Sequence, residues 1–371
     1  MPINEPMASG SLASTDVSAS TSANNMRILL SSEHRYPAFG DAGVGPHPKP
    51  YPSGSGFWIH DLLGKGLAEM GHEVFYLLRQ GAAKPLPSGV RLVSQPVWDA
   101  DILHTISDRD DLLIREWQSR GRPWVSTCHI DMRTRGMAQR PTTENWIFVS
   151  RTLARRHGRQ RFVLNGVDPD ACVYSESKRD YFFFMSSMDW EMKKGLDIAI
   201  SLAFRLRVKL VVAGTGNNYK RIMRISGLCR QIGATYVGDV RGRRKAELLA
   251  GARGFIFPTR VDEAFGLGMV EALMSGTPVI CSDKGACREI ISPDVGFVCR
   301  DDRDYVSAIR RIGSISPRAC REKAMREFHY LRMARDYLAE YEKEIARNNS
   351  SHCASADSNG NLSTTSGARE A

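Results

Sequence analysis

Two carboxylates frame a run of small residues in Glu263-Ala-Phe-Gly-Leu-Gly-Met-Val-Glu271. An apolar stretch, Gly254-Phe-Ile-Phe-Pro258, leads into it, and Ala272-Leu-Met-Ser-Gly-Thr-Pro-Val-Ile280 leads out to a second apolar stretch. This reads as strand, turn, helix, strand. A helix N-terminus gathers unpaired N–H groups and partial positive charge, which suits a phosphate. Gly266 and Gly268 let an oxyanion approach the main chain with no Cβ in the way. Glu271, one to two turns into the helix, can then accept hydrogen bonds from paired sugar hydroxyls. The chemistry implied is nucleotide-sugar handling. An ordinary strand-turn-helix with capping glutamates would share the E-x7-E spacing alone.

The wider sequence separates the two readings. The stretch resembles the donor-site signature of glycosyltransferase family 4, the group 1 transferases, E-x-F-G-x-x-x-x-E followed by A-x-x-x-G-x-P-V. Further short landmarks fall in that family's order: Gly71-His-Glu-Val74, Thr127-Cys-His129, Val149-Ser150, Asn165-Gly-Val-Asp168, Lys194-Gly195, Ala213-Gly-Thr-Gly216 and Val237-Gly238. The resemblance covers roughly residues 26 to 340. It implies that Glu271 holds the donor ribose and Glu263 the hydroxyls of the transferred sugar. Phe265, Gly266 and Leu267 would give backbone contacts, Val240 would lie by the nucleobase, and Lys194 would meet the diphosphate. His129 would lie against donor sugar and acceptor, with Gly56 (Gly54 as the neighbouring choice) near the donor phosphates. A cation on the leaving diphosphate lowers the barrier directly.

One departure stands out. The family usually has an arginine five or six residues before the lysine, whereas this chain reads Ser186-Ser187-Met188-Asp189. Lys193, Arg243 and Lys245 are the candidate replacements. The missing cation also keeps a binding-only descendant in view.

The chain has 371 residues, 42% hydrophobic, enough for two cores of ordinary size. No apolar run approaches the roughly 18–20 residues that span a bilayer. Its eight cysteines are scattered singly, without C-x-x-C or zinc-finger spacing, and read as reduced thiols in cytosol. Cys287 reads as a structural cysteine rather than a reactive thiolate. The net charge of +10 concentrates in Arg151 to Arg161 and in Arg241-Gly-Arg243-Arg244-Lys245. Neither cluster is interleaved with aromatics as a base-stacking surface would be, so nucleic acid is not expected. The first reads as a solvated helix face, with a peripheral membrane contact as its second reading. The second, next to Val237-Gly238-Asp239-Val240, could border the donor pocket. Of the Asp-x-Asp triplets at 99, 108, 168 and 302, each reads as a solvated loop, so no metal is expected.

Apolar strands separated by helices imply parallel sheets buried on both faces. The pattern restarts near 181, giving an α/β chain of two Rossmann-like domains. The expected division is a leader over 1–25, an acceptor-binding domain over 26–168 with the loop His34 to Ser55 (Tyr36, Phe39, His47, Tyr51) facing the acceptor, and a donor-binding domain over 169–327. A helix over 328–348 crosses back to the N-terminal domain, and a disordered tail follows over 349–371. Family resemblance makes this the GT-B architecture, with substrates in the interdomain cleft. It also implies a retaining, metal-independent transfer of a hexose-type sugar from a UDP- or GDP-sugar to a small molecule, glycan or lipid-linked glycan. The alternatives are a non-catalytic sugar-nucleotide-binding scaffold and a GT-B sugar-nucleotide epimerase. Sugar, base, acceptor and oligomeric state are not encoded in these motifs.

Overall fold

The computed structural model describes residues 25–38, 55–106, 111–135, 143–214, 216 and 218–360. Expectations resting on 1–24, Phe39, His47, Tyr51, Gly54, Asp108, Asp110 and 361–371 lie outside the described residues.

The first half runs β1 (Arg27–Ser32), α1 (Ser55–Glu69), β2 (Glu73–Leu78), β3 (Val90–Val93), β4 (Ile102–Thr105), α2 (Asp111–Ser119), β5 (Trp124–Cys128), β6 (Trp146–Phe148) and α3 (Arg151–Arg156). Its six strands are parallel, in the order β3-β2-β1-β4-β5-β6. Alternation along β1 explains the two layers: Ile28 and Leu30 pack with α1 residues Ile59 and Leu63, while Leu29 faces the opposite core with Trp117.

The second half repeats the design with β7 (Phe182–Met185), α4 (Leu196–Leu206), β8 (Leu210–Ala213), α5 (Tyr219–Gln231), β9 (Thr235–Tyr236), α6 (Gly242–Gly251), β10 (Gly254–Phe257), α7 (Leu267–Met274), β11 (Val279–Ser282), α8 (Cys287–Ile290), β12 (Gly296–Cys299) and α9 (Asp302–Arg311). The order is β12-β11-β10-β7-β8-β9, again parallel. Counted from each domain's first strand, both sheets are 3-2-1-4-5-6, the doubly wound pattern. Such sheets bind ligands at the carboxyl ends, where the winding reverses between the first and fourth strands. That point is β1/β4 in one domain and β7/β10 in the other. The architecture is the two-domain GT-B arrangement expected.

Helices α10 (Pro317–Phe328) and α11 (Tyr330–Gly360) close the chain. Helix α11 returns to the N-terminal domain, burying Met333, Tyr337 and Tyr341 in the β1–α1 core. Close approach is possible because a Cβ on Gly66 of α1 would stand 2.9 Å from the Cβ of Ala334. The chain crosses between domains twice, at 165–168 and at the α10–α11 break, and the two crossings lie side by side. The Val167 amide donates to the Phe328 carbonyl at 2.8 Å, and the Tyr330 amide to the Val167 carbonyl at 3.1 Å. A Cβ on Gly166 would lie 2.6 Å from Tyr330 Cα, so only glycine fits there. Lys65 of α1 reaches Asp168 at 2.6 Å.

Three expectations need correction. The final helix begins at Tyr330 and runs to Gly360, past the 348/349 boundary drawn for a disordered tail. Composition missed this because turns already nucleated on a docked helix propagate through residues that would not start one. The Arg151–Arg161 cluster is a solvated helix face only at Arg151 and Arg155, which are exposed; its other arginines are engaged. Arg156 bridges Asp131 at 3.0 Å and Asp262 at 2.9 Å, Arg159 pairs with Glu144, and Arg161 clamps Glu340 and Glu344 of α11 at 2.7 and 2.8 Å. Asp302 and Asp304 belong to the first turn of α9, where carboxylates favour the helix dipole, with Asp301 accepting from the Asp304 amide at 2.9 Å. Cys287, by contrast, is fully buried as read, and the described cysteines are all free thiols.

Candidate functional site

Lys194 and Glu263 come from the two loops that leave β7 and β10, the reversal point of the second sheet. Gly195 caps α4 in the left-handed region at φ 77°. A Cβ there would stand 2.0 Å from the Pro258 carbonyl oxygen, so glycine lets the two loops touch. The contact brings the Lys194 ammonium onto Glu263 Oε1 as an ion pair, and Thr259 Oγ1 donates to the same oxygen at 3.1 Å. The Glu263 backbone is fixed from behind. Its carbonyl accepts from the Ala286 amide at 2.9 Å, and a Cβ on Gly285 would lie 2.3 Å from its nitrogen and oxygen.

Gly266 follows at φ 97° and starts α7 with no side chain capping it. Beneath Gly268 the ring of Phe255 leaves only 3.3 Å for an added Cβ. Glu271, on α7, is buried, and Lys245 of α6 donates to its Oε1 at 2.6 Å. Burial opposes the Lys245 charge, but Glu271 outweighs it and holds the ammonium above its ordinary range. Cys172 lies near the pair, its thiol pushed up to about 12 by burial and secondarily by Glu271. Two carboxylates and two ammonium groups thus form two ion pairs along the carboxyl edge of the sheet.

The N-terminal domain contributes its own edge. His129 follows β5 and is half-buried. Its ring lies against the start of α1, where a Cβ on Gly56 would come within 2.8 Å of His129 Cδ2. Burial lowers the His129 pKa to about 4, so the imidazole is neutral at neutral pH. Behind it His104 bonds Tyr341 Oη at 2.6 Å and Thr127 Oγ1 at 2.7 Å, and Tyr337 Oη bonds the same threonine at 2.9 Å. Burial brings His104 to about 3, with His129 adding to the effect.

The two edges are joined directly. Ser150 Oγ donates to the Ala264 carbonyl at 2.6 Å, and Glu289 of α8 accepts from the Arg151 and Thr152 amides at 2.8 and 3.0 Å. Leu267 packs against cores of both domains. Phe265 is buried edge-to-face against Phe328 at 6.1 Å, and Val240 is buried in the same core. The fold thus brings Gly56 against His129 and Lys194 against Glu263, with Phe265, Gly266, Leu267 and Glu271 following Glu263 along the same turn and helix.

Met188 and Asp189 stand five or six residues before Lys194, where the resemblance calls for arginine, and Met188 is wholly buried. Of the candidate replacements, Arg243 pairs with Glu247 in solvent and Lys193 lies 4.4 Å over the Trp190 ring, whereas Lys245 faces Glu271. Nothing in the spacing separated Lys245 from Arg243 and Arg244; only the helix phase of α6 does. Thr259 and the Arg156–Asp262 bridge carried no motif at all. Among the described Asp-x-Asp carboxylates, Asp99 pairs with Arg27, Asp168 with Lys65 and Asp302 with Arg205. Among the described residues no group of three or more His, Cys, Asp or Glu is placed to hold a metal ion, and no helix is long and apolar enough to cross a membrane.

Comparison with known proteins agrees with this layout. Residues 179–314 match the family model described as glycosyl transferases group 1. The chain is 36% identical over 112 residues to an MMP alpha-(1->4)-mannosyltransferase of Mycolicibacterium hassiacum, covering 28% of this chain and 27% of that one. It is 32% identical over 140 residues to a phosphatidyl-myo-inositol mannosyltransferase of Mycobacterium leprae, covering 35% and 37%. The match thus spans about a third of these relatives' length or less. Among solved structures, a glycosyltransferase involved in avilamycin A biosynthesis superimposes with a TM-score of 0.68 at 24% identity, over 86% of this chain and 98% of that one. An Anabaena protein crystallised with UDP and glucose gives 0.63 at 15% identity, over 85% and 99%.

Proposed function

We propose, from the premise that this chain carries a group 1 glycosyl transferase domain within a GT-B fold, that it moves a hexose-type sugar from a nucleoside-diphosphate sugar to an acceptor hydroxyl. The observation that carries this reading is the meeting of Lys194 and Glu263 at the reversal point of the donor sheet, with the uncapped start of α7 and Glu271 beside it. Lys194 and Glu263 satisfy each other's charge. A donor exchanges that pair for two better-matched ones: its diphosphate takes the Lys194 ammonium and the α7 amides, and its sugar hydroxyls take the Glu263 carboxylate. Glu271, steadied by Lys245, accepts from the ribose hydroxyls.

Transfer breaks the bond between the anomeric carbon and the diphosphate oxygen, and the electron pair leaves with the nucleoside diphosphate. Lys194 stabilises that growing charge. The acceptor oxygen forms the new glycosidic bond and its proton passes to the departing phosphate, on the same face, so configuration is retained. Neutral His129 offers hydrogen bonding rather than charge near the reacting sugar. Positive charge comes from Lys194 and helix amides, so the reading is metal-independent, with no other cofactor. The chain would act in the cytoplasm on a small-molecule, glycan or lipid-linked acceptor.

Thermal-shift screening with UDP-, GDP-, ADP- and dTDP-sugars tests the donor class, with mannosyl donors first because both curated relatives are named for mannosyl transfer. The expected result is stabilisation by one family of donors and slow release of its nucleoside diphosphate. Binding without any release under all acceptors tried would favour the scaffold reading, whose support is the buried Met188. No donor binding would overturn both.

A further inference from the structure

Half of the exposed large apolar side chains in the described residues gather at one place on the donor domain. Trp190 and Met192 come from the turn between β7 and α4, and Tyr219, Met223 and Leu228 from α5. Tyr219 is 73% exposed and Met223 53% exposed, one helical turn apart. The turn and the helix are in contact, since Arg221 Nη1 donates to the Asp189 carbonyl at 3.0 Å. A cavity of about 550 Å³ opens between α4 and α5 in the same patch, lined by Met192, Leu196, Ile200, Ile225 and Leu228 with Arg224 at hand.

The charge around this apolar surface is predominantly positive: Asp197, which lines the same cavity, is paired with Arg260 at 2.6 Å, and Asp189 stands in the turn beside the buried Glu191. Helix α5 carries Lys220, Arg221, Arg224 and Arg230 and no acidic residue. Lys193 adds its ammonium over the Trp190 ring at 4.4 Å. The one carboxylate that Arg221 and Arg224 share, Glu191, is buried beneath them at 3.5 and 3.3 Å. A second copy of this chain fits poorly, because pairing like face to like face across a two-fold would set α5 cations against α5 cations. A face that alternates Tyr, Met and Leu with Lys and Arg, and that has Trp and Tyr at its margin, matches the boundary of an anionic bilayer. There the apolar groups enter the headgroup layer and the cations meet lipid phosphates.

We propose that α5 and the turn Met188–Lys193 dock this chain onto an anionic membrane surface. The contact lies on the donor domain, apart from the cluster at 151–161, whose Arg156, Arg159 and Arg161 are held in ion pairs. Because Lys193 directly precedes Lys194, docking would set the diphosphate turn beside the bilayer.

Co-sedimentation of the full chain with vesicles decides this, and its readout is independent of transfer. Vesicles of phosphatidylcholine and phosphatidylglycerol in equal parts should bind the chain, and pure phosphatidylcholine should not. Added salt should release it. Lys220→Ala should weaken binding about fivefold, the weight of one cation near such a surface. Tyr219→Asp with Met223→Asp should lose binding by at least about tenfold, since both apolar anchors are removed; both positions are exposed, and unchanged circular dichroism will show that the fold is intact. Equal binding to neutral vesicles, or full binding by the double variant, would overturn the proposal. So would a concentration-dependent dimer that the double variant abolishes without any vesicle binding, which would assign the face to a second copy.

Discussion

Glu271 and Lys194 have similar surroundings, a carboxylate–ammonium pair at a half-closed edge, yet their substitutions should read out differently. Glu271→Gln keeps volume but removes the charge and turns one of the two acceptor oxygens into a donor, so paired hydroxyls can no longer both donate, and donor affinity in calorimetry should fall by more than about tenfold, the loss expected for a charged hydrogen-bonding group. Undiminished nucleoside diphosphate binding would remove Glu271 from the site. Lys194→Ala acts on the leaving group, so kcat should drop on the order of 10²–10³ with donor binding less affected. Lys245 touches Glu271 and is a positioning residue. Lys245→Met should raise KM and leave kcat nearly unchanged; a fall in kcat comparable to that of Lys194→Ala would instead make Lys245 the replacement for the missing arginine cation.

At the scale of elements, two glycines do what no motif states. Gly195 sits at positive φ with the Pro258 carbonyl 2.0 Å from where a Cβ would be. Gly195→Ala must therefore push β10's loop away from α4, separating Lys194 from Glu263, and should lower the melting temperature as well as activity. Gly56→Ala meets only the edge of the His129 ring, a side chain that can turn. It should leave the melting temperature nearly unchanged and depress transfer, and a wild-type rate would dissociate Gly56 and His129 from the reaction. These contrasts mark what was legible in the sequence. The strand–turn–helix around Glu263 to Glu271 could be read because glycines, carboxylates and apolar runs sit within one short span, and most other strands likewise carry their own apolar signal. Strand β12, four residues at the sheet edge, and the Lys245–Glu271 pair could not. One depends on a neighbouring strand for its ladder, and the other on the packing of two helices 26 positions apart in sequence.

The molecule as a whole carries a pH dependence in its N-terminal domain. His60 of α1 lies against His104, ring centroids 4.9 Å apart, with His129 close by, all with lowered pKa values, chiefly from burial. Folded, they stay neutral; unfolded, they take up protons below about 6.5. Stability should thus be level above about 6.5 and decline as pH falls through 5 toward 4, since the unfolded chain binds more protons there. Urea titrations from pH 7 to pH 5 check this, and His104→Gln should flatten the slope. A midpoint constant across that range would contradict the buried-neutral assignment.

The paired crossings at 165–168 and Phe328–Tyr330 have a mechanical consequence. Two covalent links placed at one spot and hydrogen-bonded to each other act as a single pivot, so one domain can rotate against the other but cannot slide along it. Ser150 with Ala264 and Arg156 with Asp262 are contacts such a rotation would part. Opening then changes the width of the gap between His129 and the donor edge without shifting their lateral alignment. If the proposed function holds, each closure would return His129 to the same place against the edge that carries Lys194 and Glu263, so the placement of the hinge would itself preserve their registry.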